Sequence, residues 1–182
     1  GKQTIGQETG VVDGVSEVQV LAVSLSTSVG GTDHSLRNVA LALRPLGVTV
    51  TLGAPGGSDT EQWWRAAGLS FLPLDLPQRI GIHRQGEKSL HPLGGLAAQV
   101  PKSARTVSIL RRAARDFDVV HSNHLLLHPD AVLASRLART PVVVEFHDIV
   151  PAGPGRALLA AIAATATHTV AVSTAAAQQL PS

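Results

Sequence analysis

From Val18 onward the chain alternates short β-branched apolar runs with stretches of helical periodicity. Val18–Ser24 (VQVLAVS) is almost continuously apolar, the pattern of a strand covered on both faces. A Ser/Gly loop at 26–32 leads into Leu36, Val39, Ala40 and Leu43, which fall on one face of a helix. Asp33 is the expected N-cap, and Pro45 with Gly47 the expected stop. Val48–Leu52 predicts a second strand. Ser58 and Glu61 read as a capping box for a short helix through Trp63, Trp64 and Ala67, and Leu69–Leu74 predicts a third strand.

Periodicity then vanishes between Asp75 and Lys102, among Pro77, Gly81, Gly86, Pro92, Gly94, Gly95 and Pro101. An irregular loop of that length either binds something or is disordered. Order resumes with a helix over Ser103–Phe117, whose Val107, Leu110, Ala114 and Phe117 share a face. A strand at Asp118–His121, a helix at Asp130–Ala138 and a strand at Val142–Phe146 follow. A helix over Gly155–Ala166, a strand at Thr169–Val172 and a Ser173-capped helix to Leu180 complete the series. Such alternation predicts an α/β fold: a Rossmann-like open, mainly parallel sheet with helices on both faces. Ligands of these sheets bind at the carboxyl ends of the strands.

Composition narrows the picture. The 182 residues suit one domain, 18–182, and 44% hydrophobic content with no Cys excludes disorder and a disulfide scaffold. Fifteen Lys+Arg against 13 Asp+Glu leave a net charge of +2, and aromatics are 3% with no Tyr, so a nucleic-acid surface is disfavoured. No secretory signal precedes the first strand. The longest uncharged apolar run, Ala157–Thr167, is far short of the roughly 20 residues a membrane helix needs. A soluble cytoplasmic protein is expected. The chain has no Met, so residues 1–17 read as a flexible arm or expression remnant.

The strand ends carry the candidate chemistry. After strand one comes Ser24-Leu-Ser-Thr-Ser-Val-Gly30-Gly31-Thr-Asp33, directly before a helix. Two glycines there admit a close backbone approach, and the open N–H groups of a helix start attract an anion such as phosphate; a plain tight turn is the alternative. The G-x-G-x-x-G pattern is absent, and strand two ends without an acidic residue, which disfavours a dinucleotide cofactor. Gly81–Ser89 resembles a phosphate-binding P-loop but has one residue too many before Lys88, with no strand before it.

His121-Ser-Asn123-His124 ends strand four, His128 lies four residues on, and Glu145-Phe-His147-Asp148 ends strand five. Together at one sheet edge these groups suit hydrogen bonding to a polar ligand; their spacing is not that of a metal site. Arg105, Arg111, Arg112 and Arg115 give the fourth helix a basic face, a solvated surface or a weak peripheral membrane contact. No G-x-S-x-G elbow supports serine hydrolysis.

Four segments in order resemble glycosyltransferases of family 4 with the GT-B fold. Gly30-Gly-Thr-Asp-His-Ser-Leu-Arg with Gly47-Val-Thr-Val-Thr-Leu is similar to the family's Gly-Gly-x-Glu turn, helix and Gly-His-Glu-Val-x-Val strand. Asp118-Val-Val-His-Ser-Asn-His resembles its Asp-Val-Val-His-x-His segment. Pro141-Val-Val-Val-Glu-Phe-His-Asp resembles Pro-Val-Val-x-Thr-x-His-Asp, and Val170-Ala-Val-Ser173 its Val-x-x-Ser.

The resemblance implies the N-terminal, acceptor-side half of a retaining enzyme that moves a sugar from a nucleotide sugar to a sugar, polyol or lipid acceptor, with no cofactor or metal. Carried over, Gly30 and Gly31 would meet the donor phosphate and His147 the transferred sugar. Asp33, His121, Asn123, His124 and Asp148 would line the acceptor side, and Arg84, Lys88 and Lys102 could take an acceptor phosphate. Asp33 stands where Glu is usual, and Gly-Val-Thr replaces Gly-His-Glu. The family's glutamate pair, seven residues apart, belongs to the other half; none of the five Glu here has that spacing. By itself the chain is expected to be inactive. A non-catalytic binding or regulatory module of the same fold, and an unrelated Rossmann-like nucleotide-dependent enzyme, are the alternatives.

Overall fold

The computed structural model describes residues 17–77, 93–150 and 153–180. The six expected strands are present: β1 (Val18–Val23), β2 (Val48–Ala54), β3 (Ser70–Pro73), β4 (Val119–Ser122), β5 (Val142–Phe146) and β6 (His168–Ala171). They form one sheet in the order β3-β2-β1-β4-β5-β6, and every strand pair is parallel. The chain steps outward from β1 to β3, then crosses back to place β4 beside β1. That reversal is where an open parallel sheet splays its connections and leaves a crevice at the carboxyl edge.

Alternation along β1 assigns the two cores. Ala22 faces a cluster with Leu36 and Ala40 of α1 (Gly31–Leu43) and Trp64 of α2 (Asp59–Ala66), all buried. Leu21 and Val23 face the other side, packed with Leu110 and Ala114 of α3 (Leu93–Ala114), Ala131 and Ala134 of α4 (His128–Ala138), and Leu159 and Ile162 of α5 (Pro154–Thr165). Neighbours in a strand point to opposite faces, so a run apolar at every position is what two covered faces demand. Trp64 is wholly buried, and its indole N–H donates to the Ser70 carbonyl at 2.7 Å. The ring therefore contributes roughly 2–3 kcal/mol of burial without stranding a polar group.

Several boundaries differ from expectation. Asp33 is not the N-cap of α1. Gly30 holds that place, and Asp33 sits three residues in, its carboxylate accepting from the Gly30 N–H at 2.8 Å and the Ser26 hydroxyl at 3.1 Å. The stop is as expected: Pro45 lies in a 3-10 turn (Arg44–Leu46), and Gly47 takes the left-handed φ of 78° that favours glycine.

The segment after Asp75 is not irregular up to Lys102. α3 begins at Leu93 and carries Pro101 within it. Leu96, Ala97, Ala98 and Gln99 are strong helix formers that outweigh the breakers around them. Its other end falls at Ala114, short of Phe117. α4 starts two residues early, at His128, after a 3-10 turn at Leu125–Leu127. α6 (Thr174–Ala177) has the expected Ser173 cap, with Oγ accepting from the Ala176 N–H at 3.1 Å, but ends before Leu180. Residues 1–16 of the expected N-terminal arm (1–17) and the stretch 78–92, which holds Arg84, Lys88 and the P-loop-like sequence, lie outside the described residues.

Candidate active site at the carboxyl edge of the sheet

β1, β4 and β5 end on one edge, and the first two are direct neighbours. The turn after β1 is wired from within. Ser24 Oγ accepts from the Ser26 N–H at 3.1 Å, Ser26 Oγ donates to Asp33, and Asp33 holds Gly30. The Gly30 N–H is thus already occupied, which removes it from the groups that could bind a phosphate. Gly31 is different. It opens α1 behind an N-cap that has no side chain, so the first-turn N–H groups lack a capping partner, the arrangement that suits an anion. The fold does not require either glycine: the Gly30 φ of −121° is open to any residue, and a Cβ on Gly31 would meet nothing within 4 Å.

On β4 and β5 the strand pleat decides what faces the crevice. Val120, Ser122, Val144 and Phe146 are buried towards the α3–α5 side, so His121 and Glu145 fall on the opposite face, with His147 next in step. His121 lies beside Ala22 in the β1–β4 register and beside Val143 in the β4–β5 register. Its Nε2 is 3.0 Å from Glu145 Oε2. His147 Nε2 is 3.6 Å from the same oxygen and 2.9 Å from Asn123 Oδ1. Burial pushes the Glu145 carboxyl up, but the hydrogen bond from His121 and the charges of the nearby imidazoles outweigh it and hold the group below its ordinary value. In the sequence Glu145 stood only as part of the strand end with His147 and Asp148, without a role of its own, although its place two residues before His147 on one strand face carried the signal.

The other histidines serve the frame. His128 is 1% exposed; its Nδ1 is 2.8 Å from Ser122 Oγ, and its ring meets Phe146 edge-on at 5.0 Å. Burial, aided by the imidazoles of His124, His121 and His147, pushes its pKa down to about 3, so it is neutral at physiological pH. His124 caps the 3-10 turn, Nδ1 accepting from the Leu126 N–H at 3.3 Å. Burial also lowers its pKa, against the pull of the Asp33 and Asp148 carboxylates. Asp148 is exposed, and its carbonyl accepts from Gln179 Nε2 at 2.6 Å while Gln179 Oε1 accepts from the Val150 N–H at 2.8 Å. This buried amide ties the loop after β5 to the end of the described chain. Nothing in the sequence pointed to it, since its partners lie about 30 residues away.

The edge therefore brings together Gly31, His121, Asn123, His124, His147 and Asp148. Asp33 is there too, but it is 1% exposed and turned into the loop. Lys102 lies on α3, the helix covering the opposite face from His121. Arg105 pairs with Asp75 and so is not a free member of a basic face. Arg111, Arg112 and Arg115 lie at the far end of α3, where Thr140 Oγ1 donates to the Ala114 carbonyl and Asp118 accepts from the Gln19 N–H. That end adjoins the amino ends of the strands, away from the crevice. Among the described residues no group of three His, Asp or Glu side chains is placed to hold a metal ion, and no helix is long and apolar enough to cross a membrane.

Glycosyltransferase Family 4 matches residues 29–182. HepE from Anabaena, solved with UDP and glucose, superposes with a TM-score of 0.63 at 18% identity, covering 89% of this chain and 40% of that one. MurG from Acinetobacter baumannii gives 0.55 at 16%, covering 91% and 43%. A glycosyltransferase from Rickettsia africae gives 0.58 at 16%, covering 86% and 37%. Among curated proteins none matches the chain. The chain thus spans about 40% of the length of the solved structures it resembles. With a family match over most of its length and this strand order, the chain belongs to glycosyltransferase family 4, as a Rossmann-like GT-B domain.

Proposed function

We propose that the chain is the N-terminal, mainly acceptor-binding half of an enzyme that moves a sugar from a nucleotide sugar to a hydroxyl acceptor with retained anomeric configuration. In the transfer, the bond from the anomeric carbon to the diphosphate breaks, the electron pair stays on the phosphate oxygen, and a bond to the acceptor oxygen forms as the acceptor's hydroxyl proton passes to that departing phosphate oxygen. Negative charge grows on the phosphate, and an uncapped helix start is a preorganised donor for it. The Gly31 N–H takes that role, with Gly30 as the side-chain-free N-cap before it. His147 faces the transferred sugar. His121, Asn123, His124 and Asp148 ring the acceptor, and Asp33 acts by holding the turn.

The observation that carries the reading is a side-chain-free helix start, glycine for no reason of its own fold, sharing a rim with the His147 cluster. HepE, solved with UDP and with UDP-glucose, supports a nucleotide-sugar donor. The second half of the enzyme supplies the remaining donor contacts, so the isolated chain is inactive in this reading. The reaction is cytoplasmic. A membrane held against Arg111, Arg112 and Arg115 would face the edge opposite the crevice, so membrane delivery of the acceptor is not part of the reading.

The test is a transfer assay on the full-length protein with a panel of nucleotide sugars and hydroxyl acceptors, the product's anomeric configuration read by NMR. Product with the donor's configuration is expected. Inverted product would overturn retention, and binding of donors without any transfer would favour a non-catalytic module.

A further inference from the structure

We propose that Glu145 is a positioning residue whose carboxylate holds His121 by Nε2–H, beside a His147 whose Nε2–H is taken by Asn123 Oδ1, so that both rings keep Nδ1 as a hydrogen-bond acceptor for a hydroxyl-bearing ligand. The inference rests on the sugar-transfer reading only for the identity of that ligand. The geometry stands apart from it. One carboxylate oxygen, Glu145 Oε2, lies 3.0 Å from His121 Nε2 and 3.6 Å from His147 Nε2, and the latter nitrogen is also 2.9 Å from Asn123 Oδ1. A carboxylate and an amide oxygen can only accept. Any ring nitrogen facing them must carry the hydrogen, and in a neutral imidazole the proton on Nε2 leaves Nδ1 with a bare lone pair.

The carboxylate stays ionised at neutral pH, since the imidazoles hold its pKa below the ordinary value. All three side chains are between 13% and 16% exposed, so the cluster is shielded yet reachable from the crevice. The pattern this segment resembles has threonine at the position of Glu145. Threonine has no carboxylate to take the Nε2–H of His121 on the neighbouring strand, so the device is a feature of this chain.

The rim is then divided by chemistry. At the end of β1, Gly31 offers a donor and the helix start favours an anion. At the ends of β4 and β5, two Nδ1 atoms and the carboxylates of Glu145 and Asp148 offer acceptors and negative charge. That second stretch suits the hydroxyl hydrogens of an uncharged sugar or polyol and disfavours a phosphorylated one.

The experiment uses protein carrying 15N in its histidine rings, with imidazole resonances read at alkaline pH. His121 and His147 are expected as Nε2–H tautomers with bare Nδ1, and Glu145→Thr, a strand-compatible change, is expected to give a tautomer mixture at His121 while His147, held by Asn123, keeps its Nε2–H. An Nδ1–H tautomer at either ring of the unsubstituted protein overturns the proposal, and that measurement needs no variant to fold. An unchanged His121 tautomer in Glu145→Thr overturns it as well. Glucose, added as a hydroxyl probe, is expected to move the Nδ1 resonances while inorganic phosphate leaves them in place; any other result rejects the assignment of the ligand. Absence of sugar transfer with the tautomers as stated would reject the transfer reading and leave the role of Glu145 standing.

Discussion

Four imidazoles sit within one short stretch of sheet edge and are used in different ways. His121 and His147 share the Glu145 carboxylate, His124 caps a turn, and His128 is sealed beneath them against Ser122 and Phe146. The rule that ligands bind at strand ends found all four in the sequence, but it could not divide them. Their roles depend on which partner each ring nitrogen meets, and those partners come from other strands. Glu145 was legible in principle, because period-two alternation places it on the face of His147.

His128 carries a pH prediction. The unfolded chain takes a proton at His128 below about 6.5, whereas the folded one resists until about 3, so in that window the unfolded state binds more protons. Stability is therefore full above 6.5 and falls as the pH drops towards 3, by roughly 1 kcal/mol per pH unit from this group. Urea unfolding between pH 7 and pH 5 should show the slope, flattened in His128→Gln. An equal slope in the variant would mean that other groups cause it.

At the scale of elements, the site depends on two connections. The β1–α1 turn is held by the chain of Ser24, Ser26, Asp33 and Gly30 contacts, so its shape does not depend on a ligand. The sequence showed a helix start here but misplaced the cap. An Asp before a helical pattern fits N-cap and third position alike, and only the reach of its carboxylate back to Gly30 separates them. The early start of α3 was hidden for another reason: Gly94, Gly95 and Pro101 are strong local breakers, and the helix formers between them override them.

The loop after β5 is fixed by Gln179, whose amide bonds both the Asp148 carbonyl and the Val150 N–H. Gln179→Ala should cost about 1–3 kcal/mol, because it strands two backbone groups near the surface of the core. Denaturant unfolding measures that cost. A loss below about 0.5 kcal/mol would mean that water replaces the amide without penalty.

For the whole molecule, the reversal of strand order between β1 and β4 matters most. The alternation of strands and helices was legible in the sequence and the strand order was not; the consequence of the reversal, a crevice at the carboxyl edge, follows from right-handed crossovers laying helices on opposite faces. The reversal sets Gly31 and His147 on one rim from segments more than 100 residues apart. The basic residues of α3 went the other way. As a sequence pattern they formed one face, but Arg105 is paired with Asp75 and the other three lie at the end remote from the crevice.

Whether the Gly31 backbone meets the donor phosphate decides what this edge of the sheet does, and turnover of Gly31→Val in the full-length enzyme tests this most directly. A Cβ has free space there in the chain itself, so stability should hold while kcat falls by about 100-fold or more, the loss seen when a preorganised donor is removed from a developing oxyanion. A variant as active as the parent would contradict the account and reduce the glycine pair to an ordinary turn.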